Sequence, residues 1–175
     1  MKKIITLVLL AICSQVFAQS PFDKFEDKKG VKSVIVNERM FSLMSSVDMD
    51  STDPDTKTFL NLIKTLNKLK VFMTDNATVS NEMKASVSSY LKSNTLEELM
   101  RASGGDGKKV NIYIKSGATE NRVKELLMYI DDASAKENKS IILSLTGDFN
   151  LKDISTLTKK MNLPGGEELK KVSKK

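Results

Sequence analysis

Four aspartates stand close together in the segment DMDSTDPD, residues 48–55. Carboxylate oxygens are ligands that calcium prefers, so Asp48, Asp50, Asp53 and Asp55 are the candidate metal ligands of this chain. The spacing departs from the EF-hand pattern, because Asp53 stands where that loop needs glycine and no glutamate occupies its twelfth position. We therefore expect no cofactor, and a solvated loop whose acids favour the start of the following helix.

The groups that most often perform catalysis at neutral pH are missing from the sequence. It has no histidine and one cysteine, Cys13, which excludes Ser-His-Asp and Cys-His catalysis and histidine-ligated metals. Asp148 and Asp153 remain as a carboxylate pair of the kind that hydrolyses glycosides, but roles at a helix start account for both. The sequence thus favours a protein that is not an enzyme.

Residues 1–18 have the three parts of a secretory signal peptide. Two lysines are followed by a short apolar run, and Val16-Phe17-Ala18 resembles a cleavage site. We expect export to the periplasm or outer envelope with removal of these residues. Cys13, in a poor lipid-attachment motif, would be removed with them. Loss of the two lysines changes the formal net charge from +6 to +4, a diffuse charge that does not indicate a nucleic-acid partner.

The hydrophobic pattern of residues 19–163 predicts one domain of mixed helices and strands. Strands are expected where β-branched or alternating apolar residues recur, at 31–37, 69–74, 109–115 and 140–146. Helices are expected where apolar residues recur every three or four positions, at 38–45, after Asp53 and Pro54, at 76–93 and after Asn150. Residues 122–131 fit both a helix and a strand, and periodicity does not decide between them.

The motif TGD, residues 146–148, joins an apolar run to the last predicted helix. A phosphate-binding loop would need several glycines, and here there is one. We therefore expect a plain connection in which Gly147 permits a turn and Asn150 caps the helix, with Asp153 completing a shortened capping box.

One face of the predicted sheet combines tyrosines with small polar groups. If helices cover the other face, six outward-pointing residues share a surface suited to a protein or peptide: Asn111, Tyr113, Lys115, Tyr129, Ser144 and Thr146. This surface is the candidate for binding another protein of the envelope. Residues 164–175 are expected to form a disordered basic tail, whose candidate role is weak contact with anionic envelope lipid.

The chain resembles a family of exported proteins of Gram-negative bacteria in five stretches: FDKFEDKKGVKSVIVNERMFSLM, LKVFMT, LEELMRASGGDGKKVNIYIK, ELLMYIDD and IILSLTGDFNLKDISTLTKKM. The family is catalogued as domain of unknown function 4252, and the resemblance runs from Phe22 to Met161. It implies an envelope location, no known activity, and a strand at 122–131.

The patterns and the resemblance together predict an α+β fold. Its sheet is largely antiparallel, with a C-terminal meander of strands 109–115, 123–131 and 140–146 and helices packed on one face. We expect an interaction or regulatory module of unknown molecular function. The alternative is a carrier of a small ligand or lipid, because eight of the nine methionines remain after cleavage to line an apolar pocket between sheet and helices.

Overall fold

A computed structural model describes residues 20–47, 52–132, 134–135 and 139–172. The predicted signal peptide with Cys13, and two of the four candidate calcium ligands, Asp48 and Asp50, lie outside the described residues. Within the described ranges, none of the helices is long and apolar enough to span a membrane.

Six strands of the described chain form one antiparallel sheet in the order β1-β2-β6-β5-β4-β3. They are β1 (Val31–Asn37), β2 (Leu66–Thr74), β3 (Glu97–Ser103), β4 (Lys109–Ser116), β5 (Arg122–Asp131) and β6 (Ser140–Asn150). The last four form a meander, and β6 then pairs with β2. The α+β class and the meander are thus confirmed, residues 122–131 form a strand, and β1 and β3 are the two edges of the sheet.

The described residues also form five α-helices. They are α1 (Glu38–Ser46), α2 (Pro54–Ile63), α3 (Ala77–Ser93), α4 (Ile154–Lys160) and α5 (Gly166–Val172), with short 3-10 helices at Asp23–Phe25 and Leu151–Asp153. Polar side chains define several of the starts, because they accept hydrogen bonds from otherwise unpaired backbone N–H groups. Asn37, Asp53 and Asn76 cap α1, α2 and α3 in this way, and Asn150 caps the second 3-10 helix.

Helices cover both faces of the sheet, which corrects the prediction that they pack on one face. On the first face, α1, α2, α4 and α5 pack against a cluster that includes Val71, Leu126 and Leu143. On the second face, α3 and the N-terminal segment 20–30 pack against Phe72 and other apolar side chains of the sheet. The reason is that the central strands are apolar on both sides, as is typical of strands buried between two layers.

β6 continues through the TGD motif, so Gly147 does not form the predicted turn. It lies opposite Leu66 at a bulge between β2 and β6. There the backbone of Thr65 comes close, and its carbonyl oxygen accepts a hydrogen bond from the Asp148 N–H at 2.9 Å. A Cβ atom at position 147 would collide with that oxygen and would lie 2.9 Å from Leu66 Cα. Glycine is therefore required by the close approach of two backbones.

The predicted disordered tail is wrong for residues 166–172, which form α5. Leu169 is fully buried in the core of the first face. Lys108 Nζ lies 2.6 Å from Glu168 Oε1, which ties α5 to the start of β4. One buried leucine among lysines and glutamates is too weak a periodic signal to reveal this helix from the sequence.

The tight contact at Gly147 predicts a large effect of a single methyl group. Gly147→Ala is expected to lower the free energy of unfolding by about 1–3 kcal/mol, because the bulge backbone has to move to admit the Cβ atom. Urea unfolding followed by circular dichroism measures this. The matched control is Gly105→Ala, since a Cβ atom there meets nothing within 4 Å, and its effect is expected to stay within about 0.5 kcal/mol. Equal stability of the two variants would contradict the account of the bulge.

Candidate functional site

The two described candidate calcium ligands are engaged in the fold. Asp53 accepts hydrogen bonds from the Thr56 N–H at 3.0 Å and from Thr56 Oγ1 at 2.6 Å. The hydrogen bond from the Thr56 side chain is the main cause that lowers the pKa of Asp53 to about 2. Asp53 and Asp55 also form ion pairs with Lys160 and Lys159, at 3.3 and 2.9 Å, which link α2 to α4. Within the part of the chain that the structure describes, no three acidic, histidine or cysteine side chains are grouped to hold a metal ion.

These contacts predict that calcium has no effect on stability. Millimolar calcium is expected to leave the Tm unchanged, because both described carboxylates already have N–H or lysine partners. Asp53→Ala is expected to lower the Tm by removing the cap of α2, whereas Asp53→Asn, which still caps, is expected to lower it less. Differential scanning fluorimetry measures all three. A rise in Tm with calcium that Asp48→Ala abolishes would establish a metal site instead.

The other candidate carboxylates are Asp148, near the end of β6, and Asp153, in the 3-10 helix that follows it. Asp148 is an exposed residue whose Oδ1 lies 2.9 Å from Arg122 Nε, and this hydrogen bond lowers the pKa of Asp148. Burial raises the pKa of Asp153. Opposite shifts are what an acid–base pair requires. However, Asp148 is paired with Arg122 at the surface, and Asp153 makes no side-chain capping hydrogen bond, so the predicted capping box does not form.

The six residues of the predicted binding surface do share one face of the sheet, the second face. The register places Asn111 opposite Tyr129, and it places Tyr113 and Ser144 on either side of Leu127. This face is not open, because α3 packs across it. Tyr129 is only 7% exposed and Ser144 only 8%.

The other members of that set are less deeply covered. Asn111, Tyr113 and Thr146 are half-buried, and Lys115 is exposed near the end of β4. The prediction of this surface required every helix to pack on the first face, but α3 packs on the second face. What was predicted as one continuous binding surface is therefore an internal layer with an exposed rim.

A small polar pocket lies on the second face where the N-terminal segment meets α3. Its lining residues are Ser20, Lys68, Lys70, Tyr90, Glu125, Ser144 and Thr146, and its volume is about 90 Å³. The Tyr90 hydroxyl donates to the buried Glu125 carboxylate, at 2.8 and 3.0 Å from its two oxygens. Burial, followed by this bond, raises the pKa of Tyr90. Pockets that bind small organic molecules are several times larger, at about 300 Å³ or more.

Lys70 supplies the second polar anchor of this region and is only 4% exposed. Its ammonium group pairs with Asp23, and with Glu26 at 2.8 Å. Burial opposes the charged form of Lys70, but the hydrogen bonds to the two carboxylates outweigh it and raise the pKa of the lysine. The polar groups of the pocket thus fasten the N-terminal segment and α3 to the sheet.

The Tyr90–Glu125 bond predicts a pH-dependent stability. Tyr90→Phe is expected to cost about 1–3 kcal/mol, because it removes a hydrogen-bond donor from a buried carboxylate. Since the folded-state pKa of Tyr90 is raised, the stabilisation from this bond is complete below pH of about 10 and declines at higher pH, as the unfolded tyrosine ionises. Urea unfolding at neutral and alkaline pH should show this decline in the wild type and less of it in Tyr90→Phe.

A double-mutant cycle separates the bond from general effects of each substitution. Glu125→Leu, which removes the acceptor, is combined with Tyr90→Phe, and the costs are expected to be less than additive, because each single variant already loses the shared hydrogen bond. Strictly additive costs would show that the two side chains do not stabilise each other.

Exposed apolar side chains gather at the β1 edge of the sheet. The large apolar residues that stand out as exposed in the described chain all fall within residues 34–47 and are between 41% and 57% exposed. They are Val34 and Ile35 of β1, Met40 and Leu43 of α1, and Val47, which ends that helix. We call these five residues the apolar edge. Clusters of exposed apolar residues on a folded protein mark interaction sites more often than scattered ones do.

The backbone positions these five residues on adjoining surfaces. Val34 and Ile35 are consecutive in a strand and therefore point to opposite faces of the sheet. Met40 and Leu43 are three residues apart and lie on one side of α1, and Val47 directly follows the helix with an extended backbone. Phe41, on the other side of α1, is fully buried in the core. α1 is therefore apolar on two sides, and only one of them is used by the fold.

The two edge strands, β1 and β3, differ in the features that prevent pairing with another chain. β3 carries Glu97, Glu98 and Arg101, and its pairing with β4 is interrupted by a bulge between Glu98 and Met100. Charges and bulges are the usual means by which edge strands avoid pairing with other chains. β1 pairs with β2 in a continuous register and has Lys32 as its one charged residue. β1 is the less protected edge, because its single charge lies near its start and its centre carries neither a charge nor a bulge.

The sequence alone does not identify the apolar edge. Two signals for it are present: the run Val34-Ile35-Val36 is apolar on both faces of a strand, and α1 has a second apolar stripe beside Phe41. A strand that is apolar on both faces usually lies inside a sheet. Only the strand order shows that β1 is at the edge, and strand order depends on contacts between distant residues.

These features define an α+β protein with a six-stranded antiparallel sheet, helices on both faces and one exposed apolar edge. A family model described as "Domain of unknown function (DUF4252)" matches residues 25–157, and the chain belongs to this family. The match includes all six strands of the sheet and confirms the resemblance noted in the sequence. No curated protein and no solved structure matches the chain.

Proposed function

We propose that this member of a family of unknown molecular function is an exported, non-enzymatic interaction module of the cell envelope. Its partner is a protein that adds a strand to β1 and packs against α1. The observation that carries the proposal is the apolar edge: an edge strand without protecting charges at its centre, beside an exposed apolar stripe of a helix. Strand addition to an exposed sheet edge is a common way of recognising a protein segment.

The energetics of such an association are favourable but moderate. A partner strand would satisfy the outward-pointing N–H and C=O groups of β1, which specifies register more than it adds affinity. Completing the burial of five half-exposed apolar side chains contributes about 1 kcal/mol each. This gain offsets the loss of translational and rotational freedom on binding, which costs at least about 4 kcal/mol. Affinity then depends on how well the partner fits α1 as well as β1.

The bonding of the polar side chains supports the same proposal. The chain lacks histidine, and its described carboxylates at Asp53, Asp148 and Glu125 are held by hydrogen bonds or ion pairs within the fold. Groups with structural partners of this kind are poor candidates for acid–base catalysis. This supports an interaction module over an enzyme.

The packing of the methionines bears on the alternative of a ligand or lipid carrier. Met83 and Met128 are fully buried among the side chains that fill the space between helices and sheet. The pocket beside Tyr90 is small and polar, and the larger groove of about 480 Å³ that adjoins it at Lys68 and Lys70 is lined by polar and charged residues. Met40, in contrast, is exposed as part of the apolar edge. The buried methionines therefore fill the core, and Met40 suits an external contact surface better than an internal lipid site.

Site-specific crosslinking in living cells tests the proposal directly. A photo-crosslinking amino acid is placed at Val34 in the full chain with its own leader, and the envelope fraction is recovered after irradiation. We expect a discrete protein adduct from position 34, because a partner strand would lie against it. The matched control is Arg101, an exposed position on the protected edge strand β3, from which no adduct is expected.

Two results would count against the proposal. The first is an absence of adduct at position 34, or adducts at positions 34 and 101 that do not differ. The second is recovery of the protein outside the envelope with residues 1–18 still attached. A second substitution at the apolar edge, Leu43→Lys, is expected to reduce the position-34 adduct, because it places a charge in the proposed contact.

A further inference from the structure

We propose that the protein partner at the apolar edge is a second copy of this chain. Two sheets would join through β1 into one continuous antiparallel sheet with six strands from each copy. This inference rests on the proposed function and names the partner at the same surface. Three features carry it: the sequence of β1, the position of α1, and the contrast between the two edges.

β1 can pair with itself along its whole length. A two-fold axis perpendicular to the sheet at Val34 places Val34 opposite the same residue of the second copy. Ser33 then lies opposite Ile35, and Lys32 lies opposite Val36. Every pair joins residues that point to the same face, as cross-strand neighbours in an antiparallel sheet must. The strand's one charge faces a valine, so no like charges stand opposite each other.

The position of α1 extends the contact beyond the strand. α1 contacts β1 and β2, so it lies over the edge of the first face. Paired strands are about 4.8 Å apart. A helix that lies over both β1 and β2 would therefore be about two strand spacings from its copy across the axis, close to the roughly 8–10 Å at which helices pack. Met40 and Leu43 of α1, with Val47 just beyond the helix, would then face the same residues of the second copy. An isologous dimer needs a surface that is complementary to itself, and an apolar stripe meets that requirement.

The contrast between the edges explains why association would stop at two copies. If both edges were unprotected, copies would continue to add and would form a fibre. Pairing through β1 uses the unprotected edge of each chain and leaves the two β3 strands at the ends of the joined sheet. Glu97, Glu98 and the bulge beside Met100 protect those ends. One open edge and one protected edge are the arrangement that a closed dimer requires.

Reciprocal charge substitutions at the axis test the inference. The protein purified from the envelope is studied by analytical ultracentrifugation, and the wild type is expected to be a dimer. Val34→Lys and Val34→Glu place like charges opposite each other, so each variant alone is expected to dimerise at least about 100-fold more weakly. An equal mixture of the two variants is expected to restore a dimer that contains one copy of each. Arg101→Glu on β3 is the control and is expected to leave the dimer intact.

The recovery in the mixture separates lost pairing from misfolding, since a misfolded variant is not rescued by another. Val34 is 43% exposed, so both variants are expected to keep the wild-type circular dichroism spectrum. A wild type that is monomeric at every concentration overturns the inference, as does a dimer that both Val34 substitutions leave unchanged. If a monomeric wild type still gives an adduct with a different protein from position 34, the second-copy inference fails and the proposed function stands. If it gives no adduct, both fail.

Discussion

The central strands of the sheet are apolar on both faces, and the rest of the structure follows from the need to cover them. In β2, β5 and β6, consecutive residues such as Leu126 and Leu127 are buried in different clusters on opposite sides of the sheet. A single layer of helices would leave one side in water, and burial of apolar area is the main source of stability. The chain therefore folds α3 and the N-terminal segment over the second face, where Phe22 and Phe25 complete the layer. Lys70 is buried as a consequence, and its pairing with Asp23 and Glu26 offsets the cost of burying its charge.

Features of the structure that depend on neighbours in the sequence could be predicted from the residues. Asp53 before Pro54 specifies a helix start through its own side chain, and Val110, Ile112 and Ile114 alternate as a half-buried strand does. Features that depend on distant contacts could not. Periodicity shows which side of α3 is apolar, but it does not show which face of the sheet that side covers. Leu66 continues the apolar stripe of α2 in the sequence, yet it begins β2 because its burial is decided by tertiary packing.

The same distinction between local and distant contacts applies to the candidate site. The lack of histidine is a property of composition and needs no structure to interpret. The polar set on β4, β5 and β6 was correctly assigned to one face by alternation, but Tyr129 and Ser144 are covered by an element whose position the sequence does not give. Because α3 covers the second face, Tyr90 of α3 donates a hydrogen bond to Glu125 of the sheet. The elements that cover the second face therefore bury part of the polar surface that was predicted to bind a partner. The apolar edge remains exposed.

Strand propensity explains only part of the apolar edge. Exposed Val34 and Ile35 suit a strand because β-branched residues favour strands, and single exposed apolar residues are common. Strand propensity gives no reason for Met40 and Leu43 on the outer side of α1, where a polar residue would serve the helix equally well. Nor does it explain why β3, an edge strand of the same sheet, carries charges and a bulge. A protein partner accounts for both elements at once, because β1 and α1 lie side by side and would be covered together.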